Sequence, residues 1–366
     1  MKILLGLSGG VDSTYAALKL KNEGQDVVGA VLKMHGYSPI SDAASAAEAT
    51  GIPLVEINCE ELFEKIVVAN FIDEYLSART PNPCIICNSE VKFRELYKYA
   101  MENGFDAIAT GHYAKIYAID KDGNRHLNTA EFVNERIQNG DFSEYRYAVS
   151  YGDDLKKDQS YMLWRLSQDI LSRLVFPLSG WTKSAVRERS LEANLSAARS
   201  AESQEICFIP DGDYASFIEK ERGRSPEGDF VDDSGRVLGR HKGLIRYTVG
   251  QRRGLGISAA SRIFVTEINP VNNTITLSDK TKSSSHVRVS GIVYSGIEPV
   301  SQERTMHLSA KLRYAAPRVS ADVVFYPSGE AEITLDAPVS AVTAGQSAVL
   351  YDGDLVVAGG FIDSAD

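Results

Sequence analysis

The chain opens with an apolar run, Ile3-Leu4-Leu5-Gly6-Leu7, that passes directly into Ser8-Gly9-Gly10-Val11-Asp12-Ser13. Thr14–Leu20 follows, with apolar residues at helical spacing. This order predicts a buried parallel strand, a glycine turn and the first turns of a helix. A glycine pair at such a turn lets the backbone approach a ligand, and the helix start offers unpaired N–H groups and a positive dipole end. The result is an anion cradle, to which Ser8 and Ser13 add hydroxyl donors. The lysine of a GxxxxGK[ST] loop is missing, so the usual γ-phosphate transfer machinery is not encoded here. GxGxxG is absent as well.

The string looks like the pyrophosphate loop of ATP-cleaving enzymes, which break the α–β bond and activate an oxygen as its adenylate. The rest of the first half keeps a βαβ rhythm. Val27–Lys33, Leu54–Asn58 and Ala107–Thr110 read as strands, and Asp42–Thr50, Glu61–Leu76 and Phe93–Asn103 as helices. Gly123–Tyr145 is polar and weakly periodic, an excursion from the sheet. Helical patterning returns over Tyr161–Leu174 and Lys183–Asn194, and beyond Arg262 the chain becomes short β-branched and aromatic runs between Gly, Pro, Asn and Asp. The predicted fold class is α/β: a doubly wound parallel-sheet pyrophosphate-loop domain over residues 1–205, a small α+β middle domain over 206–280, and a C-terminal all-β barrel over 281–366.

With 366 residues, two or three domains are expected. No apolar stretch reaches the roughly 18–20 residues of a membrane span, and four cysteines do not make a secreted disulfide framework, so a cytosolic chain is expected. The net charge of −10 argues against nonspecific coating of nucleic acid. A local exception runs from Arg236 to Arg253, where Arg236, Arg240, His241, Lys242, Arg246, Arg252 and Arg253 occur with no acidic residue between them. That stretch predicts a phosphate-binding surface.

Thr80-Pro81-Asn82-Pro83-Cys84-Ile85-Ile86-Cys87-Asn88 is the second strong signal. Its prolines fix φ and stiffen a loop that presents cysteines just before a helix, where a thiol pKa is lowered; a pair of inert buried cysteines is the bland alternative. Glu202–Tyr214 contains a third cysteine, Cys207, between Ile206 and Phe208. Cys59, after an apolar strand, reads as core.

Taken together, these pieces resemble the tRNA-specific 2-thiouridylase family, bacterial enzymes of the pyrophosphate-loop ATPase superfamily that thiolate the anticodon wobble uridine. The resemblance extends over essentially the whole chain: Ser8–Ser13, Thr80–Asn88 with Val91-Lys92-Phe93, Ala109–Tyr113, Lys157–Tyr161, Ser203–Phe208, His241–Leu244, Gly250–Gly256, Arg313-Tyr314 and Gly345-Gln346. It implies that ATP is bound by Gly6, Leu7, Ser8, Gly9, Gly10, Val11, Asp12 and Ser13, with Leu32 and Gly111 near the adenine. It implies Cys87 as nucleophile and Cys207 as persulfide carrier, while Asp12, a carboxylate beside the N–H cradle, is read as a further catalytic residue and Mg²⁺ ligand. Asn82, Pro83 and Cys84 match positions that contact the target base. His112, Lys157, Asp158, Gln159, Arg313, Tyr314 and Gln346 match positions that hold tRNA, alongside Arg252 and Arg253 of the basic stretch. The implied partners are tRNA with a wobble uridine and a cysteine desulfurase or sulfur-relay protein. A disulfide is expected as sulfur transfer completes.

The chain departs from the family pattern at a few places. Ala78 stands where Gly usually precedes Arg-Thr-Pro-Asn-Pro, Ala344 where Pro usually precedes Gly345-Gln346, Ser200-Ala201 where Lys-Pro is usual, and Leu32 where Met is usual. The 123–145 segment is also longer than is common. Three rival readings stay open on sequence alone: a [4Fe–4S] cluster on Cys84, Cys87 and Cys207, an ATP-dependent amide ligase or amidotransferase, and a noncatalytic RNA-binding protein.

Overall fold

The computed structural model describes residues 1–199, 206–258 and 262–366. Ser200, Ala201 and the first three residues of the Ser203–Phe208 motif therefore lie outside the described residues. A five-stranded sheet runs in the order Leu54–Asn58, Asp26–Lys33, Lys2–Gly6, Ala107–Thr110, Leu174–Val175, and every pairing in it is parallel. The order reverses at Lys2–Gly6, which lies between the second and fourth strands of the chain. Crossovers leave it on both sides, so a crevice opens at its carboxyl end.

Alternation along that first strand divides the core. Ile3 and Leu5 face the helices Val11–Asn22 and Ile40–Thr50, while Leu4 faces Phe63, Phe71 and Phe93 on the other side. Both faces of the strand are covered, which is why the run is apolar throughout rather than alternating.

A four-stranded sheet follows, ordered Val237–His241, Gly228–Val231, Thr274–Ser278, Phe264–Asn269, with the helix Tyr214–Arg222 preceding it. The C-terminal strands run Ser283–Tyr294, Ala331–Ser340, Val319–Phe325, Arg304–Lys311, Ser347–Asp352, Leu355–Ala365, and the first pairs back onto the last to close a six-stranded barrel. The α/β, α+β and β-barrel sequence of domains is the one read from the chain.

One local expectation is corrected. Tyr161–Leu174 is not one helix: only Gln168–Arg173 is helical, after a 3₁₀ turn at Ser160–Met162. Its large apolar groups are spent on the seam with the barrel. The Tyr161 hydroxyl donates to the Ser347 carbonyl at 2.9 Å, and the fully buried Trp164 ring lies so close to Gly359 that a Cβ there would fall 2.6 Å from it. The 123–145 segment leaves the parallel sheet, as expected, and forms the strand Arg125–Leu127 and the helix Ala130–Asn139. It joins Ala114–Ile119 and Arg146–Tyr151 in extending the barrel sheet. Its polarity hides a buried cation: Arg136 donates to Asn128 Oδ1 at 2.6 Å and to the Tyr147 hydroxyl at 2.9 Å, and its guanidinium lies 4.5 Å from the Phe132 ring centre.

Candidate active site

The loop after the first strand is built to hold an anion. Gly10 caps the helix Val11–Asn22 without a side-chain hydrogen bond, leaving the first N–H groups for a ligand. Gly9 has φ +77°, and a Cβ there would fall 2.4 Å from the Asp42 backbone, so only glycine fits. Ser13 Oγ accepts from the Ser8 amide at 3.2 Å and donates to the Gly10 carbonyl at 3.1 Å, which locks the turn. Across the crevice, Gly111 passes so near the helix start that a Cβ would meet the Ser13 amide at 2.8 Å.

These elements border a cavity of about 420 Å³ lined by Gly6, Leu7, Ser8, Asp12, Ser13, Leu32 and Gly111. Seven of the residues expected to bind ATP thus share one cavity. Gly9 and Gly10 form the turn behind it, and Val11 is buried in the core. His112 and Gln159, expected at tRNA, line the same cavity. Gln159 Oε1 accepts from the Tyr113 amide at 2.8 Å. The His112 imidazole lies 2.8 Å from Thr110 Oγ1 and 5.4 Å from the Phe93 ring centre. Desolvation, reinforced by the Lys92 charge, pushes its pKa down to about 3, so it is neutral at physiological pH.

Asp12 is held from two sides. The Tyr113 hydroxyl donates to Oδ1 at 2.6 Å and Lys183 Nζ to Oδ2 at 2.5 Å. A carboxylate offers about four lone-pair directions, so both oxygens retain capacity. A hard carboxylate at the rim of a phosphate cradle fits Mg²⁺, which takes one or two carboxylates and leaves most positions to phosphate and water.

Met34 and Lys92 are among the cavity residues that carry no role in the sequence reading. Met34 Sδ lies 3.7 Å from Cys87 Sγ, and Lys92 Nζ donates to Asn88 Oδ1 at 2.9 Å. They form the partition between the nucleotide cavity and the cysteines. Lys92 was visible in the Val91-Lys92-Phe93 motif, but nothing in the sequence turned it toward this wall.

The proline loop folds differently from expectation. Pro83–Cys87 is itself a helical turn capped by Asn82 Oδ1, which accepts from the Cys84 amide at 3.2 Å. Cys84 is therefore the thiol at the helix start, and it is exposed. Cys87 is at the far end, only 7% exposed, and burial pushes its thiol up to about 12 although Lys92 opposes this. The expectation of a resting Cys87 thiolate is thus corrected: desolvation outweighs any dipole benefit one turn away from the helix start. Cys207 is exposed as a residue, yet desolvation raises its thiol too, and it interacts electrostatically with Cys84 and Lys92. All four cysteines are free thiols, and Cys59 is buried in the core as expected. Among the described residues no three His, Cys, Asp or Glu side chains converge as a metal-ligand group. The three cysteines do not fit a cluster in this arrangement.

The barrel reaches this loop directly. Gln346 Nε2 donates to the Thr80 carbonyl at 2.7 Å, Thr80 donates its amide to the Ala344 carbonyl at 2.9 Å, and Arg79 donates to the Ile362 carbonyl at 3.2 Å. Tyr314 reaches the Asp158 carbonyl at 3.4 Å. The Asp158 carboxylate turns inward to accept from the Ser160 amide and hydroxyl, at 3.0 and 2.9 Å. The basic stretch is more compensated than its sequence implied. Arg236 pairs with Asp232, Arg240 with Asp229 and Arg246 with Glu219, all acidic residues outside the run and brought in by folding. Arg252 and Arg253 are exposed and show no ion pair among the described residues.

Comparison with known proteins covers the whole chain. The tRNA methyl transferase HUP domain matches residues 1–211, the tRNA methyl transferase PRC-barrel domain 215–279, and the Aminomethyltransferase beta-barrel domain 284–362. A tRNA-specific 2-thiouridylase MnmA of Clostridioides difficile (strain 630) is 38% identical over 379 residues, covering 100% of this chain and 98% of that protein. One from Acetivibrio thermocellus is 39% identical, covering 99% of each. A third, from Chlorobium luteolum, is 40% identical and covers 100% of this chain and 96% of its own. Among the described residues no helix is long and apolar enough to cross a membrane.

Proposed function

The chain belongs to the tRNA-specific 2-thiouridylase family and is a tRNA sulfurtransferase, and on that premise we propose that it converts the wobble uridine of tRNA to 2-thiouridine at the expense of ATP. The observation that supports this reading most is the shared wall: a phosphate cradle and a cysteine site lie back to back, separated by Met34 and Lys92. A methyl transferase, the chemistry in the family models' descriptions, has no need of two cysteine motifs beside such a cradle.

In this reading the uracil C2 oxygen attacks the α-phosphorus of ATP. Pyrophosphate leaves into the N–H cradle at Gly9–Ser13, and the base loses its N3 proton. Mg²⁺, held by the phosphates and Asp12, would neutralise phosphate charge when bound. The oxygen, a poor leaving group as a carbonyl, then departs as AMP when the terminal sulfur of a Cys207 persulfide attacks C2. Cys87 thiolate next attacks the Cys207 sulfur. The S–S bond to Cys207 breaks and its electron pair goes to the sulfur retained on C2, the base regains its N3 proton, and Cys87 and Cys207 form a disulfide. A thiol reductant must reopen that disulfide, and a cysteine desulfurase or relay protein must reload Cys207. Domain limits of 1–205, 206–280 and 281–366, with tRNA across all three, complete the proposal.

The test is nucleoside mass spectrometry of tRNA incubated with the protein, ATP, Mg²⁺ and a sulfur source. The proposal expects 2-thiouridine with stoichiometric AMP. It also expects loss of product in Cys87→Ser and Cys207→Ser, and partial activity in Cys84→Ser. Cys84→Ser as inactive as the other two, together with iron in anaerobically purified protein, would replace the persulfide route with the cluster.

A further inference from the structure

We propose that Lys92 is a catalytic cation shared by the two halves of the reaction, contacting the nucleotide phosphate through one wall and supporting anionic sulfur through the other. This rests on the thiolation reading above. Lys92 lines the same cavity as the pyrophosphate-loop residues Ser8 and Asp12. Its ammonium is anchored by the side chain of Asn88, the residue directly after the nucleophile. Asn88 is itself 3% exposed and fixed by donating to the Met162 carbonyl at 3.0 Å. The ammonium is thus set by a buried amide rather than swinging freely, and no carboxylate within salt-bridge distance neutralises it among the described residues.

The cradle itself brings backbone N–H groups and hydroxyls but no cation, since it lacks a Walker lysine. Lys183, the other lysine at this site, pairs with Asp12. Lys92 lines the same cavity as the loop residues Ser8, Asp12 and Ser13, so a nucleotide phosphate seated on the loop would share that cavity with its side chain. As AMP forms, charge accumulates on that phosphate, and a preorganised cation in a partly dry site stabilises it. The same charge acts on Cys87 and Cys207, where it opposes the effect of burial. The groups facing the Cys87 thiol are Lys92, Cys84, Cys207 and Cys59, with Met34 as the apolar contact. Lys92 is the one cation in that set. Burial, reinforced by this charge, keeps His112 neutral, so positive charge at the partition is concentrated on a single ammonium.

Two variants test this, Lys92→Met and Lys92→Arg, each checked for an unchanged melting temperature. In a protein retaining Cys87 as its sole cysteine, the rate of iodoacetamide alkylation at pH 8 should fall about tenfold in Lys92→Met and stay near wild type in Lys92→Arg. In the full enzyme, AMP formation with tRNA should fall about 100-fold in Lys92→Met and recover substantially in Lys92→Arg. An unchanged alkylation rate, or AMP formation at the wild-type rate in Lys92→Met, would overturn the inference. A wild-type enzyme that forms no 2-thiouridine would instead overturn the functional reading, and the alkylation result still judges the Lys92–Cys87 coupling by itself.

Discussion

Ala78 lies at the end of the helix Ala69–Leu76 with φ +56°. Its amide donates to the Tyr75 carbonyl at 3.1 Å, and the Arg79 amide donates to the Glu74 carbonyl at 2.9 Å. This pair of bonds is the Schellman arrangement, whose left-handed position favours glycine. An L-residue there costs about 1–2 kcal/mol, and a glycine returns about 0.4–1 kcal/mol of that through the greater entropy of the unfolded chain. Ala78→Gly should therefore stabilise this helix end by about 0.5–1 kcal/mol, and Ala78→Val should weaken it because a β-branched side chain suits the left-handed region less than alanine. The local readout is hydrogen exchange of the Arg79 amide, which should slow about two- to fivefold in Ala78→Gly. The melting temperature of the first domain should rise by about 1–3 °C. Since Arg79 leads into the loop that carries Asn82 and Cys87, activity should be retained. Faster exchange in Ala78→Gly, or an Ala78→Val protein as protected as wild type, would refute the reasoning.

Other expectations follow from the site. His112 has a folded pKa near 3 against about 6.5 unfolded. The unfolded chain therefore binds the extra proton between those values, and stability is full above pH 6.5 and falls as pH drops. About 1.4 kcal/mol should be lost by pH 5.5, and His112→Asn should flatten that part of a stability–pH profile; an unchanged slope counts against it. Resting Cys87 should alkylate far more slowly than Cys84 at pH 8, because it is buried and its pKa is raised; peptide mapping after brief iodoacetamide treatment with equal labelling would contradict this. Replacing both Arg252 and Arg253 by Ala should reduce the salt slope of tRNA affinity by about two units, whereas Arg240→Ala should change it less, since Arg240 is already paired with Asp229. Equal effects would show that the pairing opens on binding. Gln346→Ala should leave ATP binding intact but lower thiolation, because it removes the barrel's grip on the Thr80 carbonyl; an unaltered rate would mean the loop holds its shape without the barrel.

The elements with a strong local cause were legible in the chain. A strand covered on both faces must be apolar throughout, a turn pressed against Asp42 and a helix start must use glycine, and both signatures are printed in residues 3–13. The barrel strands were legible too, because each is a short β-branched run closed by turn residues. The misread segments owed their conformation to partners far away in sequence. Tyr161–Leu174 has helical spacing, but Trp164 and Tyr161 are claimed by Gly359 and Ser347 of the barrel. The basic stretch lacks acids only along the chain, since Asp229, Asp232 and Glu219 reach it through folding. Sequence alone named Cys87, but whether its thiol is ionised depends on solvent exclusion, a property of all the atoms around it. Lys92 was one lysine among many until the fold set it in the partition between phosphate and sulfur. Local rules determined which chemical groups the chain carries and the order of its elements. Tertiary packing decided which groups share a wall, because desolvation and charge act through space rather than along the backbone.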